Sequence, residues 1–356
     1  MRVGLVCPYS LTMPGGVQGQ VIALGRALRG MGVEARVLGP CDGPPPDSSV
    51  TPLGDSMAYA SNGSMAPIAP DLACVLRTIR ALRDESFDLI HLHEPLVPGP
   101  TLTALVFAEM PSVGTFHRAG ESAVYRTMRP LARWAAGKLT LRCAVSEDAL
   151  TTAAQALGGQ YQLVGNGIDT VRLATAEPWA TEGKTVFFVG RHEPRKGLAV
   201  LIEAVQHLGS DVRLWIGGEG PETHRLKAGT AGDPRIEWLG VLSDVEKGRR
   251  LRAADVFCAP SLHGESFGVV LLEAMAASTP IVASDLPGYH NVARPGLEAL
   301  LVPPGDAVAL AQALEEALVG GSSIDEMVAR ADERARQFSM EHLAERYTEL
   351  YERLLA

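Results

Sequence analysis

Twice along this chain, short apolar runs alternate with longer stretches of helical periodicity, and that alternation restricts the fold more than any single residue does. Apolar runs of strand length, each followed by a crossover long enough to hold a helix, are what a parallel sheet with helices on its faces requires. The first series has predicted strands at 2–7, 34–39, 88–92, 111–115, 139–145 and 161–164, with a helix over 17–29. The second has strands at 185–190, 212–217, 235–239, 255–259 and 280–284, with helical patterns over 243–253 and 268–277. Between them "NGIDTVRLATAEPW" interrupts both patterns with turn residues and Pro178. A chain of 356 residues is also too long for one ordinary core.

The expected fold class is therefore α/β, with two Rossmann-like doubly wound domains over residues 1–170 and 171–338. Residues 339–356 read as a closing helix, capped by Ser339, that packs back on the first domain. The ligand edge of such sheets lies at the carboxyl ends of the strands, so the two domains are expected to face each other across a cleft. The Pro- and Gly-rich "GPCDGPPPDSSVTPLGDS" at 39–56 reads as a loop throughout.

Charge and cysteine content narrow the function. A formal net charge of −9 argues against a nucleic-acid partner, whose phosphates call for a basic stripe. The five cysteines are widely spaced and show no C-x-x-C or zinc pattern, which fits a reducing cytosol. No apolar run is long enough to span a bilayer, so any membrane contact is expected to be peripheral, on the cytoplasmic side.

Two stretches do look suited to a membrane surface. "DLACVLRTIRALR" sets Arg77, Arg80 and Arg83 beside Leu72, Leu76 and Ile79. Arg126, Arg129 and Arg133 share one helical face flanked by Tyr125, Met128 and Trp134. Basic amphipathic helices of this kind suit anionic lipid, although a solvated helix with a core-facing side gives the same pattern.

The chemistry-bearing residues cluster where strands end. Gly15 and Gly16 let backbone N–H groups at a helix start approach an anion, or else simply form a tight turn. No G-x-G-x-x-G stands at this turn and no Walker lysine motif is present, which lowers the case for a dinucleotide dehydrogenase or a P-loop ATPase. "GRHEPRKG" follows the apolar "TVFFV" and delivers Arg191, Arg195 and Lys196 at the mouth of a buried strand. A guanidinium fork beside an ammonium suits a diphosphate that gains charge as it departs. Its counterpart, "GESFGVVLLEAMA", carries Glu265 on a loop and Glu273 in the apolar helix that follows. Carboxylates so placed are costly unless they accept hydrogen bonds, and sugar hydroxyls offer them.

"PGGVQ", "TFH", "GRHEPRKG" and "APSLHGESFGVVLLEAMAASTPIVASDLPG", in that order, resemble family 4 retaining glycosyltransferases of the GT-B fold, and the resemblance covers nearly the whole chain. Within that family the N-terminal "MRVGLVCPYSLTMPGGVQGQVIALGRALRGMG" and "NGSMA" are most similar to the phosphatidylinositol mannosyltransferases of actinobacteria. The resemblance implies transfer of mannose from GDP-mannose to the inositol ring of phosphatidylinositol at the cytoplasmic membrane face, with no further cofactor. It leaves open a UDP-sugar donor with another acceptor, and more distantly a sugar-nucleotide epimerase on the same fold.

By the same resemblance Gly16 would make room for the donor diphosphate, Arg191 and Lys196 would neutralise it, and Glu193 would orient their loop. Glu265, with Ser266, Phe267 and Gly268, would hold the donor sugar, and Glu273 the ribose. His117 would stand at the reacting centre, while Gly15, Gln18, Asn62, Ser64 and Arg118 would meet the acceptor. Pro67 and Arg118 depart from the subfamily pattern, where an arginine and a threonine are usual. No metal is expected, because no Asp-x-Asp occurs and protein cations are available for the diphosphate.

Overall fold

Alternate residues of the buried strands face opposite sides of each sheet, and both sides are apolar. The computed structural model describes residues 1–61, 64–120 and 128–356. The chain divides into two units, Met1–Gly167 together with Met340–Ala356, and Ile168–Ser339.

The first unit is built on seven parallel strands in the order β3-β2-β1-β6-β7-β8-β9. These are β1 (Arg2–Val6), β2 (Glu34–Gly39), β3 (Val50–Pro52), β6 (Leu89–His93), β7 (Ser112–Phe116), β8 (Leu141–Ala144) and β9 (Gln162–Leu163). An antiparallel hairpin of β4 (Met57–Ser61) and β5 (Ser64–Ile68) stands apart from the sheet and touches the loop after β1 through Tyr9 and Ile68. On one face of the sheet Val3, Leu5 and Val37 pack with Val21, Leu24 and Leu28 of the helix Gly16–Gly30 and with the terminal helix Met340–Leu355. On the other, Val6, Leu38, Ile90 and Leu92 pack with Cys74 and Leu82 of the helix Leu72–Asp84.

Six parallel strands form the second unit in the order β12-β11-β10-β13-β14-β15. They are β10 (Lys184–Val189), β11 (Val212–Gly217), β12 (Ile236–Gly240), β13 (Val256–Ala259), β14 (Ile281–Ser284) and β15 (Leu300–Val302). Phe187, Trp215 and Phe257 meet Leu271, Leu272 and Met275 on one face, and Val186, Phe188, Leu214 and Ile216 meet Leu198, Leu201 and Leu314 on the other.

The loop expected over 39–56 proves to contain β3, which pairs with β2 in register Val37 to Val50. Three residues ending in Pro52 carry little strand signal, and only an edge position tolerates that proline. In both sheets the strand order reverses once, between β1 and β6 and between β10 and β13. The loops leaving those strands are where such folds bind ligands.

Candidate active site

In the second unit the two loops at the reversal point come from adjacent strands. After β10 the chain turns through Arg191–Glu193 into a short 3-10 turn at Pro194–Lys196, and Gly197 then starts the helix Leu198–Val205. Gly197 has φ 66°, and a Cβ there would lie 1.9 Å from the carbonyl oxygen of Pro260 on the loop after β13. Only glycine lets the cationic loop and the glutamate loop approach this closely.

Their side chains interlock. Glu193, nearly fully buried, lies between the guanidinium groups of Arg191 (3.1 Å) and Arg195 (2.9 Å). The ammonium of Lys196 donates to Glu265 Oε1 at 2.6 Å, and the hydroxyl of Ser261 donates to the same oxygen at 2.9 Å. Arg195 reaches that oxygen at 3.6 Å, and Tyr289 donates to Ser261 at 3.0 Å. Burial works to raise the pKa of Glu265, but Lys196, Ser261 and Arg195 outweigh it and hold the carboxylate below its ordinary value. Lys196 uses one of its three N–H donors on Glu265, which leaves two for another oxygen.

Ser266 and Phe267 lead to Gly268, whose φ of 92° opens the helix Val269–Ala276 without a side-chain cap. Phe267 is buried against Phe338. Glu273, about one turn into this helix, accepts from Lys247 at 2.7 Å. Burial works to lower the Lys247 pKa, and Glu273 with Asp244 overcomes it and holds the ammonium above its ordinary value. Arg195, Ser261, Tyr289 and Lys247 complete the arrangement, and the last three were not read from sequence. Only Arg195 had a visible signal, in "PRK"; the others join through strand order.

In the first unit the corresponding edge is histidine-rich. His117 follows β7, and His93 ends β6 beside it, with its Nδ1 2.9 Å from Nε2 of His117. His91 stacks on His93 at 4.3 Å between centroids, and its nitrogens meet the hydroxyls of Tyr351 (2.6 Å) and Thr115 (2.7 Å). Burial pushes His117 down to about 4 and His91 to about 3, and drives His93 well below the ordinary value, so all three rings are neutral near pH 7. Glu94, buried and with φ 51°, accepts the backbone N–H of His117 at 2.7 Å. Burial raises its pKa against the opposing pull of the His117 N–H and of Arg118. Tyr9, in the loop after β1, lies close enough to Glu94 and Arg118 to feel both charges. His93 and Glu94 were also missed in sequence, although "HLHEP" closes a strand in plain view.

Gly16 begins the helix Gly16–Gly30, and nothing among the described residues lies within 4 Å of where its Cβ would be. A Cβ on Gly15 would meet the amide of Gln18, which is buried over the start of its own helix. Pro67 sits in β5, and its carbonyl accepts from the Ser10 N–H at 2.9 Å, beside Tyr9. Asn62 and Arg126 lie outside the described residues, as does the side chain of Ser64.

The two basic stretches are arranged differently from each other. Along the helix Leu72–Asp84, Leu72 and Leu76 are 73% and 59% exposed. Beside them Arg80 pairs with Asp84, Arg83 is exposed, and Arg77 folds back toward the Leu53 carbonyl. Arg129 and Arg133, on the helix Arg129–Ala136, instead donate to the carbonyls of Gln155 and Ala156 at the end of the helix Glu147–Leu157. Cations complement a helix C-terminus, so these two arginines have an internal role in the unit. No helix among the described residues is long and apolar enough to cross a membrane. No group of three His, Cys, Asp or Glu side chains among those residues could hold a metal ion.

Residues 14–172 match the family described as Glycosyltransferase Family 4, and residues 183–319 match Glycosyl transferases group 1. The phosphatidyl-myo-inositol mannosyltransferase of Mycobacterium leprae is 40% identical over 99% of this chain and 96% of its own length. That of Mycolicibacterium smegmatis is 38% identical over 99% and 94%. Among solved structures, Anabaena Alr3699/HepE in complex with UDP and glucose is similar with a TM-score of 0.75 at 20% identity, covering 98% of this chain and 99% of that one. Sucrose-phosphate synthase from Thermosynechococcus elongatus gives 0.76 at 20%, covering 99% and 98%. At such identity these two structures speak to the fold alone.

Proposed function

Because this chain belongs to the family 4 glycosyltransferases and has their GT-B fold, we propose that it transfers mannose from GDP-mannose to the inositol ring of phosphatidylinositol, with retention, at the cytoplasmic membrane face. The names of its relatives support the sugar and the lipid. The observation that carries the donor half is the charge cluster in which Lys196, Arg195 and Ser261 converge on Glu265.

In this reading Arg191 and Lys196 neutralise the diphosphate, and Glu193 holds Arg191 in place. Glu265, with Ser266, Phe267 and Gly268, receives the sugar, and Glu273 the ribose. Gly16 leaves space for phosphate at its helix start, and His117 touches the transferred sugar. Gly15, Gln18, Asn62, Ser64 and Arg118 form the acceptor side, and residues 1–170 face the membrane. Arg118, near Tyr9 and Glu94, supplies there the charge that Pro67 lacks.

As the bond from C1 to the diphosphate oxygen breaks, negative charge builds on the leaving group where fixed cations lower its energy. The departing oxygen takes the proton of the inositol hydroxyl, which bonds to C1 on the same face. Glu94, the buried carboxylate beside His117, accepts a backbone N–H at one oxygen and keeps further lone pairs, so a double displacement through it is the competing course.

The test combines purified protein, phosphatidylinositol liposomes and either GDP-mannose or UDP-glucose, with products read by mass spectrometry. Hexose added to the lipid from GDP-mannose alone is the expected result. Donor hydrolysis without a lipid product would remove the acceptor from this reading, transfer from UDP-glucose would remove the donor, and a trapped glycosyl-enzyme would overturn the single-face course.

A further inference from the structure

His117 is held from two sides by consecutive residues of the neighbouring strand. β6 and β7 run parallel with His93 opposite Thr115, and the Glu94 N–H continues the ladder by donating to the Thr115 carbonyl at 2.8 Å. Directly beyond, the Glu94 carboxylate accepts the His117 N–H, and the His93 ring meets the His117 ring. Glu94 keeps a left-handed φ of 51°, which a non-glycine residue rarely adopts.

The hydrogen between the two rings can be assigned from the rest of the cluster. With both imidazoles neutral, one nitrogen of the pair donates and the other accepts. Nε2 of His93 is buried and has no hydrogen-bond partner among the described residues. If His117 donated, that nitrogen would carry an orphaned N–H, the costlier kind of buried polar group; if His93 donates from Nδ1, it is only an unused acceptor. His91, fixed at both nitrogens by Tyr351 and Thr115, stacks on His93 and backs its ring.

We infer that His93 and Glu94 are positioning residues for His117: Glu94 fixes its backbone, and Nδ1–H of His93 donates to its Nε2, so that His117 offers its own N–H at Nδ1. His117 then serves the reaction as a hydrogen-bond donor toward an oxygen of bound sugar or acceptor, and its basic nitrogen is already occupied. This rests on the reading of His117 as a residue of the reacting centre.

Long-range 1H–15N spectra of the full chain carrying 15N-histidine, assigned with His93→Asn and His117→Ala, read the tautomers directly. Nδ1-protonated patterns for both residues are expected, and an Nε2-protonated His117 overturns the inference. Kinetics supply the second measurement. Asparagine places its amide where Nδ1 of histidine lies, and glutamine places it where Nε2 lies. His93→Asn should keep kcat within about threefold, while His93→Gln should lose tenfold or more at unchanged donor KM. That loss should shrink to less than twofold in a His117→Ala background. Equal losses in both backgrounds, with matched Tm shifts, would mean that His93 is merely structural. If His117→Ala alone leaves kcat intact, the reading of His117 itself falls; if it is impaired and the His93 pair behaves alike, only this inference does.

Discussion

His91 shows how far a buried ring can be held from its ordinary chemistry. Its neighbours are hydroxyls, its face is covered by His93, and desolvation leaves it near 3, with His117 near 4. These depressed values have a consequence for stability. Below about pH 6.5 the unfolded chain takes a proton on each of His91, His93 and His117 while the native rings stay neutral. Stability should fall with pH from there, by up to about 1.4 kcal/mol per unit for each ring. Glu94 acts in the opposite direction, since an acid with a raised native pKa stabilises the fold once protonated and loses that contribution as pH rises. With three rings against one acid, the first unit should unfold at clearly lower urea at pH 5 than at pH 7, and His91→Gln should flatten the difference. A urea midpoint that does not move over this window would mean the rings are not buried neutral.

At the level of strands and helices, what could be read in advance was whatever rests on local periodicity. The parallel strands β1, β2 and β6 to β14 were visible as apolar runs, with Gly197 and Glu265 as turn chemistry beside them, whereas the three-residue edge strands β3 and β15 were not. What escaped depends on partners far away in sequence. Arg250 in "EKGRRLRAAD" looks solvated, yet it is buried between Trp179 and Trp215, with its guanidinium carbon 4.1 and 4.4 Å from their rings. Lys247 and Ser261 likewise gain meaning only once strand order sets them beside Glu273 and Glu265. The two basic helices were indistinguishable in sequence, and their hydrogen bonds now separate them. Leu72 and Leu76 are outward-facing and contribute little to the core, so changing both to Ser should lower binding to anionic liposomes severalfold at unchanged Tm. Arg129→Ser and Arg133→Ser should do the reverse, costing about 0.5–1 kcal/mol each by leaving helix carbonyls uncapped. Sedimentation with vesicles alongside thermal melts reads both effects, and equal loss of binding for the two sets would place the lipid contact on both helices.

Across the whole molecule, chain order and architecture do not coincide. The first unit is left at Gly167 and re-entered only at Met340, so its last helix is synthesised only after the whole of the second unit. That helix buries Met340, Leu343, Tyr347, Leu350 and Tyr351 against the sheet core, and the hydroxyls of Tyr347 and Tyr351 hydrogen-bond Thr115 and His91. At about 1.5–3 kcal/mol per fully buried apolar side chain, these residues contribute an amount comparable with the entire stability of a typical domain. Deleting 340–356 should therefore unfold the first unit rather than loosen it, and would leave His91 with an unanswered nitrogen in an exposed core. The second unit has no such dependence. It begins and ends side by side, with the Ile168 N–H donating to the Phe338 carbonyl at 2.9 Å, and its core is drawn from 168–339 alone. The expected result is asymmetric: 168–339 expressed by itself unfolds cooperatively in urea, whereas 1–339 shows one such transition and a protease-sensitive N-terminal part. Two intact transitions in 1–339 would mean that the terminal helix only covers a sheet already stable without it. The histidine cluster would then owe its burial to the sheet and the helix Gly16–Gly30 rather than to the returning chain.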